Sequence, residues 1–306
     1  MKEREDGPRV GVVVIGRNEG ERLRLCLQSV TRQATRIVYV DSGSTDGSVE
    51  LAKGLGIAVV ELDPARPFTA ARARNEGAAA LAERFGEVEL IQFVDGDCEL
   101  DGGWLAAAAE FLDSNPDAAA VCGRLRERHP EASVFNRLCD MEWDAPAGDA
   151  PACGGIAMYR AQAFREAGGF DPKLIAGEEP DLCFRLRQAG WRIVRLDAPM
   201  ATHDAAMFRV RQWWQRAKRS GYADMEAYRR RGHAEPHLRR RVWSNYLWSL
   251  PVSWPLWPVL WVRCFAGRGP LFATHMVLGK VPHAMGQLEH RRRAGKGGEV
   301  ALIEHK

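Results

Sequence analysis

The chain has 306 residues, of which 46% are hydrophobic and 27% are charged, an ordinary globular composition that excludes a disordered, collagen-like or disulfide-scaffold protein. Its net charge of +3 hides a division, because residues 1–204 hold 24 basic and 34 acidic side chains whereas residues 205–306 hold 19 basic and 6 acidic ones. The acidic first part argues against a nucleic-acid binder, and the basic second part predicts a separate function that faces an anionic partner.

Short apolar runs alternate with helical patterns over the first 200 residues. The apolar runs predict strands over residues 10–15, 37–40, 57–62, 90–94 and 118–123. The segments between them predict helices over residues 21–32, 46–54, 69–82 and 102–112. This alternation predicts an α/β fold with a mostly parallel sheet, in which ligands bind at the carboxyl ends of the strands.

Acidic and small polar residues follow two of the predicted strands. Asp41-Ser42-Gly43-Ser44 ends the second strand, and Asp95-Gly96-Asp97 ends the fourth. Two carboxylates spaced in this way can bind a hard divalent cation, although each segment is also typical of a solvated turn. The turn after the first strand lacks the Gly-x-Gly-x-x-Gly pattern of dinucleotide-binding enzymes, and no Walker phosphate loop occurs.

The segment after residue 205 has a different character. A long basic helix is predicted over residues 208–231, and residues 242–262 then carry no charge but hold five of the ten tryptophans. Tryptophan between arginine clusters is typical of the interface of an anionic membrane. Three prolines argue against a straight spanning helix. We therefore expect residues 242–262 to lie at the membrane interface or to re-enter it. A spanning helix and a buried dimer or domain contact are the alternatives.

Several motifs, taken in order, resemble those of the family 2 glycosyltransferases, which have the GT-A fold. They are Arg17-Asn18-Glu19, Asp41–Ser48, Ala73–Gly77, Asp95-Gly96-Asp97, Gly154-Gly155, Glu178-Glu179 before an Arg-Leu helix, and His203. The resemblance covers about residues 8–225. It implies a nucleotide-sugar-binding catalytic domain over residues 8–205. The composition of residues 206–306 separately predicts a basic helical extension that associates with membrane.

The resemblance also implies the roles of individual residues at a nucleotide-sugar donor, with UDP as the first choice of nucleotide. Asp41 and Ser42 contact the nucleoside, Arg74 with Asn75 shapes the nucleotide pocket, and Asp95 approaches the ribose or sugar. Arg72 is the alternative to Arg74. The other residues implied at the donor are Arg17, Asn18, Glu19, Gly96, Gly154 and Gly155. From their place on the predicted basic helix, Arg216 and Arg219 are expected to contact the donor diphosphate or an anionic acceptor.

The resemblance implies a divalent metal, Mn²⁺ or Mg²⁺, bound by Asp97 and His203. It also implies that Glu179 is the catalytic base, with Glu178 as the alternative. The chemistry of an inverting transfer is consistent with both implications. A base must take the proton of the acceptor hydroxyl, and a Lewis acid must stabilise the departing diphosphate.

The expected function is a metal-dependent inverting sugar transfer to a glycan or lipid-linked acceptor in surface polysaccharide or lipid-linked glycan assembly. The expected partners are the donor, that acceptor and a membrane surface, with a homodimer possible and no nucleic acid. Seven cysteines without a Cys-x-x-Cys pair predict reduced thiols, and hence a cytoplasmic protein at the inner face of the cell membrane. Two alternatives are a polyprenyl-phosphate glycosyltransferase and a non-catalytic nucleotide-sugar-binding membrane scaffold.

Overall fold

A computed structural model describes residues 9–294 of the chain. These residues form two compact units. The first unit comprises residues 9–128, 143–174 and 178–205, and the second comprises residues 129–142, 175–177 and 206–294. The boundary after residue 205 coincides with the predicted start of the extension. Two earlier segments, 129–142 and 175–177, belong to the second unit although the sequence motifs place them inside the catalytic domain.

Nine strands among the described residues form one sheet in the first unit. They are β1 Val10–Gly16, β2 Ile37–Asp41, β3 Ala58–Glu61, β4 Leu90–Asp95, β5 Cys98–Leu100, β6 Ala118–Glu127, β7 Gly148–Asp149, β8 Ala157–Arg160 and β9 Arg192–His203. Their order is β3-β2-β1-β4-β8-β6-β9-β5, with β7 beside β9. Strands β1 to β4 pair in parallel, and β8 runs antiparallel between β4 and β6. The carboxyl ends of β1, β2 and β4 therefore lie at one edge.

Helices flank this sheet and build the second unit. They are α1 Glu21–Thr31, α2 Ser48–Gly54, α3 Ala70–Phe85, α4 Trp104–Ser114, α5 Val134–Trp143, α6 Ala161–Glu166, α7 Glu178–Gln188, α8 Val210–Arg231, α9 Pro236–Ser249, α10 Trp257–Leu278 and α11 Lys280–Ala294, with a 3-10 helix at Pro251–Leu256. The predicted α/β fold class and the helical C-terminal region are confirmed. Strands β5, β7 and β9 and helix α5 have no counterpart in the predicted elements.

Helix α3 lies close against the sheet because Gly77 has no side chain. A Cβ atom at Gly77 would lie 2.3 Å from Val13 Cγ1 and 2.8 Å from Val40 Cγ2, so a larger residue would force the helix away. Thr69 caps the helix by accepting a hydrogen bond from the backbone N–H of Arg72 at 3.1 Å. These two features place the first turns of α3 beside the carboxyl ends of β1 and β2.

The second unit depends on close packing between α8 and α11. A Cβ atom at Gly221 would lie 2.1 Å from the carbonyl oxygen of His283, and one at Gly286 would lie 1.9 Å from that of Lys218. Glycine at both positions lets the two backbones approach. The charge-free segment 242–262 is divided between α9, the 3-10 helix and α10, and Pro251 begins the 3-10 helix. Within residues 9–294, no helix combines the length and apolar character needed to cross a membrane.

Candidate active site

The predicted donor motifs meet at the carboxyl edge of the parallel strands. Asp41 is the last residue of β2 and lies beside Gly16, the last residue of β1. Asp95 is the last residue of β4 and lies beside Ile15. Gly96 follows it, and its backbone N–H donates a hydrogen bond of 2.7 Å to the carbonyl oxygen of Ile15. The register of the sheet thus assembles three segments that are far apart in the sequence.

Arg74 connects two of the predicted acidic residues. Its Nη2 donates to Asp95 Oδ1 at 2.7 Å, and its Nη1 donates to Glu178 Oε1 at 2.8 Å. The side chain is only 3% exposed. Burial lowers the pKa of Arg74, but the two carboxylates raise it, and the net effect is a pKa above the usual value. A charged guanidinium therefore holds Asp95 and Glu178 in fixed positions.

Gly155 lies against this cluster. A Cβ atom there would lie 2.7 Å from Asp95 Oδ2 and 2.8 Å from Arg74 Nη2. The preceding Gly154 has a φ of 89°, in the left-handed region that favours glycine. The Gly154-Gly155 pair thus brings the backbone next to Asp95 without a side chain between them. Only glycine is compatible with this close approach.

Asp97 and His203 form the predicted metal-ligand pair. His203 ends β9 opposite Cys98 of β5, so its ring lies next to Asp97. The distance from His203 Nε2 to Asp97 Oδ1 is 3.4 Å. Bonds of about 2.1 Å to a six-coordinate divalent ion put neighbouring ligand atoms roughly 3 Å apart. A carboxylate and an imidazole at this separation fit Mn²⁺ or Mg²⁺, with the remaining positions open to donor oxygens and water.

Two neighbours shape this pair. The Trp143 ring lies edge-on to the His203 ring with centroids 4.7 Å apart, which fixes the orientation of the imidazole. Cys98 offers a third possible ligand atom, since its sulfur lies within 4.8 Å of the ligand atoms of Asp97 and His203. Burial raises the pKa of the Cys98 thiol, so it stays protonated and is a poor ligand for a hard cation.

Glu178 and Glu179 begin α7 but extend in different directions. Glu178 contacts Arg74, as described above. Glu179 is 5% exposed, and its Oε1 accepts hydrogen bonds from the backbone N–H of Cys153 at 2.5 Å and from Cys183 Sγ at 3.0 Å. Burial raises the pKa of Glu179 above its usual value. One acid therefore belongs to the Arg74–Asp95 cluster, and the other supports the loop before Gly154.

Asp41 organises the loop that follows β2. Its Oδ1 accepts a hydrogen bond from the Tyr39 hydroxyl at 2.9 Å, and its Oδ2 accepts from the backbone N–H groups of Gly43 at 2.9 Å and Ser44 at 2.7 Å. Both carboxylate oxygens are thus occupied within the protein. The next residue, Ser42, donates its backbone N–H to the carbonyl oxygen of Gly16 at 3.0 Å.

The loop after β1 is joined to the loop after β2 through Asn18. Its backbone has a φ of 54°, its N–H donates to Ser44 Oγ at 2.9 Å, and its Oδ1 accepts from the backbone N–H of Thr45 at 2.7 Å. The neighbouring Arg17 guanidinium lies 5.6 Å from the centre of the Phe68 ring. Glu19 pairs with Arg22 at 2.6 Å. Arg17, Asn18 and Glu19 therefore shape the edge of the site.

The two candidate arginines of α3, Arg72 and Arg74, have different contacts. Arg72 donates Nε to Glu76 Oε1 at 2.6 Å and Nη1 to the carbonyl oxygens of Asp63 at 3.0 Å and Arg66 at 2.9 Å. It holds the loop before α3, whereas Arg74 contacts Asp95.

Asn75, the residue after Arg74, forms two hydrogen bonds with the backbone of Phe170. Its Nδ2 donates to the Phe170 carbonyl oxygen at 2.7 Å, and its Oδ1 accepts from the Phe170 N–H at 3.0 Å.

Arg216 and Arg219 lie on α8 in the second unit. Arg216 Nη2 forms an ion pair with Glu142 Oε2 at 2.8 Å, and Arg219 Nη2 donates to the carbonyl oxygen of Ile175 at 3.1 Å. These contacts all lie within the second unit. The predicted contact of either arginine with the donor diphosphate stays a prediction.

Three features of the site were absent from the sequence reasoning. They are the Tyr39 hydroxyl on Asp41, the Trp143 ring on His203 and the cysteine environment of Glu179. Only the Tyr39–Asp41 contact could have been predicted from the sequence, because the two residues lie two apart on one strand and so point to the same face. The other two depend on contacts between distant segments. All seven cysteines lie in the described residues, and each is a free thiol.

A mixed sheet with an Asp-x-Asp segment at the carboxyl end of β4 is the architecture expected of a GT-A nucleotide-sugar-binding domain. The family model for "Glycosyl transferase family 2" matches residues 11–168, and that for "Glycosyl transferase family group 2" matches residues 90–280. The chain therefore belongs to glycosyl transferase family 2. The predicted family and the predicted class of enzyme, a glycosyltransferase, are confirmed.

Several curated proteins are similar in sequence. The pre-mycofactocin glycosyltransferase of Mycobacterium tuberculosis is 29% identical over 222 residues, which cover 67% of this chain and 44% of that protein. Glycosyltransferase AglE of Haloferax volcanii is 24% identical, over 66% of this chain and 68% of that protein. Succinoglycan biosynthesis protein ExoA of Rhizobium meliloti is 27% identical, over 79% and 74%. The match thus spans less than half the length of the mycobacterial relative.

Solved structures share the fold at lower identity. The mannosyltransferase PcManGT from Pyrobaculum calidifontis, in complex with GDP-Man and Mn²⁺, gives a TM-score of 0.62 at 17% identity and covers 94% of this chain and 88% of that one. TarS 1-349 of S. aureus gives a TM-score of 0.57 at 15% identity and covers 94% and 92%. These similarities confirm the GT-A fold.

Proposed function

We propose that this protein is a metal-dependent inverting glycosyltransferase that moves a sugar from a nucleotide-sugar, with UDP as the first nucleotide to test, to a hydroxyl group. The acceptor is a surface polysaccharide or a lipid-linked glycan. The observation that carries the proposal is the continuous site at the end of β4. There Arg74 holds Asp95 and Glu178. Asp97, two residues after Asp95, lies 3.4 Å from His203. Relatives named for O-antigen and succinoglycan synthesis support the acceptor class.

Asp97 and His203 are the residues that would hold the divalent ion. When bound, such an ion supplies positive charge to the departing diphosphate. The solved relatives that hold GDP-Man with Mn²⁺, or UDP-GlcNAc, support a nucleotide-sugar donor and a divalent metal. Asp41 keeps the loop after β2 in one shape, and Ser42 in that loop is the proposed contact to the nucleoside.

The Glu178–Glu179 pair supplies the proposed catalytic base, and each acid has one argument in its favour. Glu179, the first choice, has a raised pKa, which suits proton transfer near neutral pH. Glu178, the alternative, lies at the Arg74–Asp95 cluster, where the proposed sugar would be bound. Glu179→Gln and Glu178→Gln distinguish them when donor binding and transfer are measured separately for each variant.

The base is the residue whose variant binds donor normally but loses about 100-fold or more in transfer. Transfer near the wild-type rate in both variants contradicts a base-dependent reaction. That result favours a phosphate acceptor such as polyprenyl phosphate, which needs no strong base. A scaffold without activity predicts no donor hydrolysis in any variant. Detectable hydrolysis of the nucleotide-sugar in the presence of Mn²⁺ therefore contradicts the scaffold alternative.

The second unit supports a further part of the proposal, peripheral contact with the inner face of the cell membrane. Large apolar side chains on α9, the 3-10 helix and α10 are exposed, with Val252 at 81% and Val259 at 67%. The exposed arginines Arg239 and Arg240 lie on α9, the first of these three helices. Apolar side chains beside basic ones are complementary to an anionic lipid surface.

Flotation with anionic vesicles tests the membrane contact. We expect Val252→Asp to lower the fraction of bound protein several-fold, because a carboxylate must then leave water and is repelled by anionic lipid. Leu55→Asp is the matched control, since Leu55 is 40% exposed but belongs to the first unit. Equal flotation of Val252→Asp and wild type contradicts membrane contact through this surface. A dimer that dissociates in the Val252→Asp variant would assign the surface to a second copy of the chain instead.

A further inference from the structure

The second unit contains a polar cavity whose lining includes none of the residues of the Arg74–Asp95 cluster or the Asp97–His203 pair, although Arg216, a predicted contact to the donor diphosphate, is part of it. Its volume is about 490 Å³, within the range of about 300–1,000 Å³ that is typical of small-molecule sites. Helices α5, α8, α9, α10 and α11 contribute to its wall. The charged residues that line it are Glu142, Arg216, Asp224, Arg241 and Lys280.

Two of the three cations in the cavity are paired with its two carboxylates. Arg216 Nη2 lies 2.8 Å from Glu142 Oε2, and Arg241 Nη1 lies 3.0 Å from Asp224 Oδ1. In the described part of the chain, no carboxylate forms an ion pair with Lys280. The excess positive charge of the cavity therefore belongs to Lys280.

Lys280 donates hydrogen bonds to neutral groups only, although the charge of Asp224, which lines the same cavity, also favours the protonated ammonium. Its Nζ donates to Ser244 Oγ at 3.2 Å and to Asn245 Oδ1 at 3.1 Å. Burial lowers the pKa of Lys280, which reflects the cost of keeping an ammonium group partly away from water. A third donor position of this ammonium remains available to an acceptor.

Asn245 offers a second donor at the same place. The residue is 4% exposed and lines the cavity. Lys280 fixes the orientation of the amide, because an ammonium group can only donate and must therefore face Oδ1. The buried Nδ2 is left without a hydrogen-bond partner among residues 9–294. An unsatisfied buried donor is destabilising, so the arrangement is suited to an acceptor from outside the chain.

We propose that this cavity binds a phosphate-type anion, with Lys280 Nζ and Asn245 Nδ2 donating to its oxygens. Arg241 and Arg216 add positive charge to the surroundings. The unsatisfied amide donor of Asn245 and an ammonium group without an ion-pair partner occur at the same point, and the oxygens of a phosphate group would accept from both. The anion is a soluble phosphate or the headgroup of a phospholipid. This proposal goes beyond sugar transfer, since it requires neither the donor nor the metal.

The test measures anion binding by the full-length protein in EDTA without nucleotide-sugar. One arm adds inorganic pyrophosphate and records the melting temperature and the dissociation constant. The other arm uses flotation with phosphatidylcholine vesicles with and without phosphatidic acid. Asn245→Asp places a carboxylate of the same size beside Lys280, so we expect about tenfold or more weaker anion binding together with an unchanged or higher melting temperature. Lys280→Gln has the same expected loss of binding.

Two control variants remove a positive charge outside the cavity. Lys218 already pairs with Glu289 at 2.6 Å, and Arg84 is exposed on α3 in the first unit. We expect Lys218→Gln to bind pyrophosphate and Arg84→Gln to bind phosphatidic acid vesicles like wild type. If the cavity variants lose binding to pyrophosphate only, the natural ligand is a soluble anion. If they lose binding to phosphatidic acid vesicles, the ligand is a lipid headgroup.

Wild-type binding by both Asn245→Asp and Lys280→Gln in both arms overturns the proposal. So does a control variant that loses binding as strongly as the cavity variants, because general charge attraction would then suffice. Neither arm measures sugar transfer, so the anion-binding result is independent of whether the proposed glycosyltransferase activity is found.

Discussion

The two units differ in where they place their apolar side chains. In the first unit, Val12, Val13 and Val14 of the central strand β1 are wholly buried. Among the large apolar residues that are exposed in the described chain, all but Leu55 lie in the second unit. A sheet covered by helices buries its own apolar surface, whereas the helices of the second unit leave theirs in water. Exposed apolar surface of this kind is common at interaction sites, and it is the basis of the membrane contact proposed above.

The charged groups show the same contrast. In the first unit, the buried cation Arg74 has two carboxylate partners. In the second unit, Lys280 has neutral partners only, within the described residues.

The largest expected effect is that of Asp97→Ala. Loss of one of the two proposed protein ligands should weaken metal-dependent donor binding by about 100-fold, and EDTA should have the same effect on wild type. Isothermal titration with a nucleotide-sugar and Mn²⁺ measures it. Asp101→Ala is the matched control, since Asp101 is an exposed aspartate shortly after β5. Wild-type affinity in Asp97→Ala removes this residue from the metal site.

Gly155→Ala should have a smaller effect on the same site. The new Cβ atom would lie 2.7 Å from Asp95 Oδ2, so Asp95 or the loop must move. A displacement of this kind at a binding group should raise KM for the donor by about tenfold. Gly102→Ala is the control, because a Cβ atom there meets no atom within 4 Å. If KM is the same in both variants, the close approach at Gly155 has no role in donor binding.

A pair of valine variants compares the packing of the two units directly. Val13→Ala removes wholly buried methyl groups and should lower the free energy of unfolding by about 2 kcal/mol. Val259→Ala should change it by less than about 0.5 kcal/mol, because the side chain is 67% exposed. Denaturant unfolding of both variants measures the difference. A large loss in Val259→Ala would show that this surface is buried in solution, for example in a dimer.

The smallest expected effect is a pH dependence that arises from Glu179. Its pKa is raised by burial in the folded protein, so between the unfolded and folded pKa values the folded state binds more protons at this group than the unfolded state. Stability from this group is therefore present at low pH and falls as pH rises above about 4.5. The melting temperature of Glu179→Gln should rise relative to wild type over that range. A difference independent of pH contradicts the burial of an ionisable carboxyl there.

Local patterns predict much of the first unit and the long helix α8 of the second. The apolar runs at residues 10–15 and 90–94 correspond to β1 and β4, and the basic pattern at 208–231 corresponds to α8 at Val210–Arg231. These succeed because hydrophobic periodicity is a property of neighbouring residues. Strand β9 does not stand out in the sequence, because only four of its twelve residues are buried and they do not form one continuous apolar run.

The order of residues along the chain shows that the acidic motifs follow strands and that a basic, tryptophan-rich segment comes after them. That order and the parallel α/β pattern are sufficient to predict Asp41 and Asp95 at one edge of the sheet. Which neighbouring side chain reaches that edge depends on contacts that form in the folded protein. Successive helical residues point about 100° apart, so Glu178 meets Arg74 while Glu179 is buried. The partners of such residues come from distant segments, which no local pattern contains.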